Sequence, residues 1–372
     1  MSKPYQIRIA PELVEQTRDR IRATRWSAMI PDDRHRYGAS VDELRSILSY
    51  WSEEYSWPAW EERLNSRPHY LAEIDGVNLH YWHVPGASPG GIPLLLLHGW
   101  PGAAVEFWDL IGPLTDPGAH GQPLAPVFDV VIAELPGFGF SGKPREPGWG
   151  LSRMADALHT LMHDELGFAK YAVHGEDWGS MIAARLARRH PDVVAAIQIT
   201  MPYADPPAPN PDWDAYMYGV GGYSHVQDFV PDALTIGMAD SPLALAAWVL
   251  EKFTSWSDND GTLASAFSLD VLVTILNFYW LDSSIISSTR IYREVTLEGE
   301  DVIGPPQISV PTGICLFPKE PFAAPRENWD AVYNVARVAE FPAGGHFAAL
   351  ERPDDVISEI RQFFPQYLRR RV

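Results

Sequence analysis

A chain of 372 residues is longer than one compact core of about 150 residues requires. Its 46% hydrophobic and 21% charged residues match ordinary globular chains, which excludes disordered, collagen-like and disulfide-scaffold classes. With 29 Lys and Arg against 48 Asp and Glu, the formal charge of −19 opposes binding to nucleic acid or an anionic membrane and favours small or neutral ligands.

The chain opens with a predicted helical arm over residues 1–68. No apolar segment of signal-peptide or membrane-spanning length stands at the N-terminus, so a cytoplasmic location without a membrane anchor is expected. Pro11 starts a helix with Leu13, Val14 and Ile21 near one stripe. A second helix begins with the capping box Ser40 and Glu43, followed by Leu44, Ile47, Leu48 and Trp51 on one face. Trp26 to Tyr37 has no period, and Trp57, Trp60 and Pro68 mark another irregular stretch.

From His69 the period becomes that of strands. Tyr70–Ile74 and Leu79–Val84 flank Asp75-Gly76, a hairpin signal. Apolar runs follow at 93–97, 127–135, 171–173, 193–199 and 314–317, as expected of strands buried on both faces in a parallel sheet. Helical patterns at 153–166 and 181–189 separate several of them, which predicts an α/β fold with a mostly parallel central sheet. Residues 69–202 and 296–372 form the predicted core. Residues 203–295 form an inserted helical lid, entered through the proline-rich 202–211. Ser241-Pro242 caps a lid helix with Leu243, Ala246, Ala247 and Leu250 on one face, and another helix covers 269–281. A final helix is read over 352–369. Cys315, the one cysteine, lies in an apolar run and reads as an inert buried thiol.

Gly137-Phe138-Gly139-Phe140-Ser141-Gly142 matches a dinucleotide loop, but Lys143 to Gly148 intervene where a helix must begin. The same residues fit a phosphate-binding loop except that Pro144 replaces the magnesium-binding Ser or Thr. A glycine-rich turn beside a pocket is the preferred reading.

The informative stretch is Tyr171-Ala172-Val173-His174-Gly175-Glu176-Asp177-Trp178-Gly179-Ser180. It has the form strand, G-x-D-x-G, helix, with aspartate at the apex of the nucleophile elbow of an α/β-hydrolase fold. A carboxylate can displace a leaving group from saturated carbon and form an ester that water then cleaves. That chemistry suits epoxides or alkyl halides; the competing role for Asp177 is a simple helix cap. His98-Gly99-Trp100-Pro101-Gly102 follows a strand where an oxyanion donor is expected, with a second donor from Trp178 N–H. Gly344-Gly345-His346-Phe347 offers His346 as the base. For the acid, Glu320 at the end of Phe317-Pro318-Lys319-Glu320 is preferred, Asp205 is the outside candidate, and Glu327 and Asp330 read as solvated. Among 12 histidines, His98 and His174 border strands and read as loop supports, while His80, His83 and His159 have no distinguishing context.

Together these segments resemble the microsomal-type epoxide hydrolases, including soluble bacterial members, over nearly the whole chain. Leu250-Glu251-Lys252-Phe253 and Ile285-Ile286-Ser287-Ser288 in the lid share the resemblance. It implies that Tyr223 and Tyr292 hold the epoxide oxygen, a role that phenols suit because they donate while staying neutral. Glu176 departs from the family pattern, where many relatives have glycine, which puts elbow geometry and pocket charge in question. The animal membrane anchor is absent, and some relatives serve enediyne antibiotic biosynthesis.

The expected reaction is opening of a bulky apolar or aryl epoxide by Asp177, then ester hydrolysis by His346 supported by Glu320, giving a vicinal diol without a metal or organic cofactor. Water is the co-substrate, and assembly, homodimer included, is open. A haloalkane dehalogenase would need the Trp178 indole N–H as a halide donor. A non-catalytic ligand-binding protein is the other alternative.

Overall fold

The computed structural model describes residues 2–26, 37–206, 208, 210–299, 303, 304 and 306–368. Most of the aperiodic stretch 26–37, Pro207 and Pro209 at the lid entrance, and Arg369 at the end of the predicted last helix lie outside them.

Nine strands form one sheet: β1 (Lys3–Pro4), β2 (His69–Ile74), β3 (Val77–Val84), β4 (Ile92–Leu97), β5 (Phe128–Ala133), β6 (Tyr171–Gly175), β7 (Val194–Ile199), β8 (Pro311–Leu316) and β9 (Asn334–Glu340), in the spatial order β1-β2-β3-β5-β4-β6-β7-β8-β9. The first three and β5 pair antiparallel at one edge, and all pairs from β5 to β9 are parallel. Side chains alternate between faces along a strand, yet Leu94, Leu95, Leu96 and Leu97 are all fully buried, so both faces of β4 are covered. Truncating one of these leucines to alanine would cost about 2–5 kcal/mol.

Helices α1 (Pro11–Arg22), α2 (Val41–Glu53) and α3 (Trp57–Asn65) make the arm. The third corrects the sequence reading of an irregular stretch around Trp57 and Trp60. Ser56 caps it through Ala59 N–H, Pro58 sits in its first turn, and Trp57, Trp60 and Leu64 are buried. The capping box of α2 is half made: Ser40 Oγ accepts from Glu43 N–H, but Glu43 Oε1 reaches across to Leu263 N–H at 2.7 Å.

Core helices are α4 (Trp108–Thr115), α5 (Leu151–His159, continued by a π-helical turn to Glu165) and α6 (Trp178–Arg189). Between β7 and β8 the lid inserts α7 (Pro211–Val220), α8 (Gly222–Phe229), α9 (Pro231–Asp240), α10 (Pro242–Trp256), α11 (Leu269–Trp280) and α12 (Ser284–Glu298). The last of these runs three residues past the boundary at 295 expected from sequence. The buried face of α10 also differs: Leu245, Ala246, Val249, Leu250 and Phe253 point inward, while Leu243 and Ala247 are only partly covered. An all-apolar first turn leaves the helix phase ambiguous in sequence. The chain ends with α13 (Arg326–Val332), α14 (Ala348–Glu351), α15 (Pro353–Phe363) and α16 (Pro365–Leu368). Among the described residues no single helix is long and apolar enough to cross a membrane.

Candidate active site

The turn from β6 into α6 places Asp177 at φ +50°, a left-handed backbone that only a constrained turn imposes on a non-glycine residue. The neighbouring glycines explain how it closes. A Cβ on Gly175 would lie 2.2 Å from Gly179 O, and one on Gly179 would lie 2.0 Å from Leu97 O. Asp177 holds the N-cap position of α6, but its side chain caps no helix N–H, which removes the helix-cap reading. The carboxylate turns instead toward the loop after β4, where Trp100 N–H donates to Oδ1 at 2.7 Å. Gly99 makes room for it, since a Cβ there would meet Oδ1 at 1.9 Å. No hydrogen bond links the expected second donor, Trp178 N–H, to this carboxylate among the described residues.

His346 follows β9 on a loop anchored by its own N–H to Trp256 O at 2.9 Å. Its Nδ1 lies 2.7 Å from Glu320 Oε2, and its Nε2 lies 3.3 Å from Asp177 Oδ2. Nε2 is buried and makes no aligned hydrogen bond, facing the Asp177 carboxylate. Glu320 is fixed from the other side by Phe322 N–H, donating to Oε1 at 2.9 Å. Burial alone would lower the His346 pKa; the Glu320 and Asp177 carboxylates outweigh it and hold the imidazole well above its ordinary value. Asp205, the outside candidate for the acid, instead accepts from Ile303 N–H at 3.0 Å. Asp330 pairs with Arg326 on α13.

From the lid, Tyr223 on α8 and Tyr292 on α12 converge on the same space. The Tyr292 hydroxyl donates to that of Tyr223 at 3.3 Å. Both phenols are raised well above the ordinary value of 10, by burial first; the negative charge on Asp177 adds to this in each case. They stay neutral donors at any working pH.

The comparisons with known proteins agree with this geometry. The profile of the epoxide hydrolase N terminus matches residues 2–107, and that of the alpha/beta hydrolase fold matches residues 92–227. Pig (Sus scrofa) epoxide hydrolase 1 is 32% identical over 404 residues, covering 97% of this chain and 88% of its own. A Stigmatella aurantiaca sequence described as a candidate epoxide hydrolase is 35% identical over 376 residues, 98% of this chain and 84% of that one. The crystal structure of juvenile hormone epoxide hydrolase from the silkworm Bombyx mori superposes with a TM-score of 0.87 at 30% identity, covering 99% of this chain and 94% of that one.

The chain belongs to the epoxide hydrolase family. It is an α/β-hydrolase-fold enzyme acting on the ether bond of an epoxide, and the dehalogenase and non-catalytic alternatives fall away. In this epoxide hydrolase a cavity of about 420 Å³ opens from Asp177, lined mainly by Trp178, Met181, Met201, Tyr203, Met217, Tyr218, Tyr223, Tyr292, Val295 and Phe322. Among the described residues no Lys or Arg lines it, while Asp214 and Asp228 do.

Glu176 does not face this cavity. Its carboxylate accepts from Ala349 N–H at 3.1 Å and meets His174 Nε2 at 3.3 Å, so it ties α14 to the elbow. The glycine-rich turn likewise holds a protein group instead of a phosphate: Phe140 N–H donates to Glu134 Oε2 at 2.6 Å, and Glu134 in turn meets His80 Nδ1 at 2.9 Å. His98 supports its loop, its Nε2 accepting from Leu135 N–H at 3.3 Å. Burial pushes the Cys315 thiol up, which keeps it unreactive.

Sequence reasoning missed Trp256, whose ring packs 5.0 Å from His346 and 5.1 Å from Tyr223. It joins His346 to Tyr223. Nothing local marks it, because it ends an apolar helix whose direction only the tertiary structure sets.

Proposed function

We propose that this enzyme converts a bulky, uncharged apolar or aryl epoxide to a vicinal diol through an alkyl ester of Asp177. The observation that carries the reading is the convergence of three groups on one carboxylate: Trp100 N–H on Oδ1, His346 Nε2 beside Oδ2, and a phenol pair across the cavity. Oδ1 already occupies the oxyanion position, so Oδ2 is the attacking atom. Attack forms the Oδ2–carbon bond as the ring carbon–oxygen bond breaks. Tyr223 and Tyr292 hydrogen-bond the departing oxygen; a phenol proton from Tyr223 makes it the hydroxyl of the bound ester, and the proton His346 then gives up restores the phenol.

The same step switches His346. At rest it sits between two carboxylates that keep it protonated. Esterification cancels the Asp177 charge, so the imidazole pKa falls, the proton is released, and His346 becomes the base for hydrolysis. Glu320 holds its ring. His346 takes a proton from water as it adds at the ester carbonyl, and Trp100 N–H stabilises the oxyanion. The Cγ–Oδ2 bond of Asp177 breaks while the bond from Oδ2 to the substrate carbon is kept, so the diol leaves with Oδ2 and a proton and Asp177 keeps the oxygen from water. A mainly apolar lining supports a bulky apolar substrate, and Asp214 and Asp228 disfavour an anionic one.

A single turnover of excess enzyme with styrene oxide in oxygen-18 water tests this. The first diol should be unlabelled and Asp177 should gain the label; label in the first diol overturns the ester route. In His346→Gln the ester should form and persist, detectable as a mass increase on the peptide containing Asp177.

A further inference from the structure

Among the described residues no lysine or arginine lines the active-site cavity, yet a cation lies directly behind one of its walls. Lys252 on α10 is 9% exposed, and its Nζ sits 4.6 Å from the centroid of the Tyr223 ring. The rings of Trp248 and Trp256 stand 5.5 and 5.6 Å from the same nitrogen. The ammonium thus occupies an aromatic box, paired with Glu251 beside it in sequence. Burying a lysine is costly, and an aromatic box with one counter-ion offsets only part of that cost. The negative charges that act on Tyr223 are Asp177 from the elbow, Glu320 from the loop after β8 and, more weakly, Glu251 itself. Lys252 is the one cation set against the Tyr223 ring among the described residues.

We propose that Lys252 is an electrostatic positioning residue for Tyr223, strengthening its hydroxyl as a donor when negative charge develops on the opening epoxide oxygen. This rests on the tyrosine role proposed above. As the epoxide oxygen gains charge, the Tyr223 proton shifts toward it and the phenol ring gains electron density. An ammonium against the ring face stabilises that density more than it stabilises the neutral phenol, so the effect falls on the ring-opening step alone. Hydrolysis of the ester uses His346 and Trp100 and should not respond. Before substrate binds, Tyr292 donates to Tyr223, so the Tyr223 hydroxyl proton is the one not engaged by the other phenol.

Stopped-flow tryptophan fluorescence with trans-stilbene oxide separates the two half-reactions. Lys252→Met should slow ester formation about tenfold or more and leave ester hydrolysis within about twofold. Lys252→Arg should recover most of the loss, because a guanidinium can fill the same box. Glu251→Gln removes the counter-charge and should leave ester formation as fast as in the parent or faster. Unchanged ester formation in Lys252→Met overturns the proposal, as does equal slowing of both half-reactions, failure of arginine to rescue, or slowing by Glu251→Gln. Absence of a fast ester-forming phase in the parent enzyme would overturn the ester reading as well, and is visible before any variant is compared.

Discussion

The two halves of the lid contribute one phenol each to the same site but are held in different ways. The back half, α10 to α12, is clamped by the N-terminal arm. Trp280 Nε1–H donates to Thr17 Oγ1 at 2.8 Å, the Tyr55 and Thr274 hydroxyls meet at 3.0 Å, and Leu263 N–H donates to Glu43 at 2.7 Å. The front half, α7 to α9, meets the arm through the solvent-exposed Arg20–Asp240 pair at the end of α9, bonded at 2.7 and 2.6 Å, and exposes Tyr218, Phe229 and Ile236 by 73%, 70% and 61%. It is tied to the back by the Arg290 pair with Asp232, bonded at 2.8 and 2.7 Å, and by the Trp248 indole N–H, which donates to Gln227 at 2.8 Å. The arm therefore backs α10 and α11, the second of which leads into α12 and Tyr292, while Tyr223 rides on helices that border the pocket mouth. One donor on the backed side of the lid and one on its entrance wall divide positioning from access.

The largest effect that tests this division is on ring opening. Removing one preorganised donor from a developing oxyanion costs about 10²–10³ in rate. Tyr223→Phe and Tyr292→Phe should each lose that much in single-turnover ester formation, with Tyr223→Phe the worse because it holds the proton for the substrate. A larger loss in Tyr292→Phe would reverse the assignment.

Next in size is the clamp itself. Thr17→Val keeps the shape of the side chain but leaves the Trp280 indole N–H buried without an acceptor, which should cost about 1–3 kcal/mol in urea unfolding. On the front, Asp232→Asn breaks a pair whose side chains are 46% and 42% exposed, so the loss should stay within about 1 kcal/mol. Equal losses would erase the distinction between the halves.

The root of the arm adds a pH dependence. His69 Nδ1 meets His80 Nε2 at 2.8 Å, and its Nε2 meets Asn65 at 2.9 Å. Burial, then the neighbouring His80, lowers the His69 pKa to about 4. The folded protein keeps this ring neutral while the unfolded chain protonates it near pH 6.5. Its contribution to stability is complete above about 6.5 and is lost as pH falls toward 4. Melting temperatures should decline over that window, and His69→Gln should flatten the decline.

Much of this site can be read along the chain because its elements announce themselves locally. The glycines around Asp177, the apolar strand ahead of it and the glycines before His346 each report a backbone constraint that holds wherever the rest of the fold lies. Glu320 is visible for the same reason, at the end of a strand. The lid gives less away. Its helices are apolar on several sides, so the inward face of α10 is set by what packs against it, and Trp256 and Lys252 gain their places only when α10 lies across the His346 loop. Helix α3 is hidden by its three-tryptophan neighbourhood, since aromatic residues are weak helix formers until packing supports them. Glu43 shows the limit of motif reading: a capping-box residue in sequence becomes an arm-to-lid tie once Leu263 N–H lies within reach.

The smallest expected effect is the one most specific to the front half. Phe229 and Ile236 lie on α8 and α9, mostly in solvent, and truncating such side chains usually changes stability by no more than about 0.5 kcal/mol. Phe229→Ser and Ile236→Ser should therefore unfold at the same urea concentration as the parent. They should also leave ester formation with a small epoxide unchanged, because neither lines the cavity. Met217→Ser, on the cavity wall of the same half, should behave differently: stability changes little at a half-covered side chain, but a bulky aryl epoxide loses apolar contact and its KM rises several-fold. If the KM for a bulky epoxide moves with Phe229 and not with Met217, the outer face of the front helices, and not the cavity they enclose, governs entry.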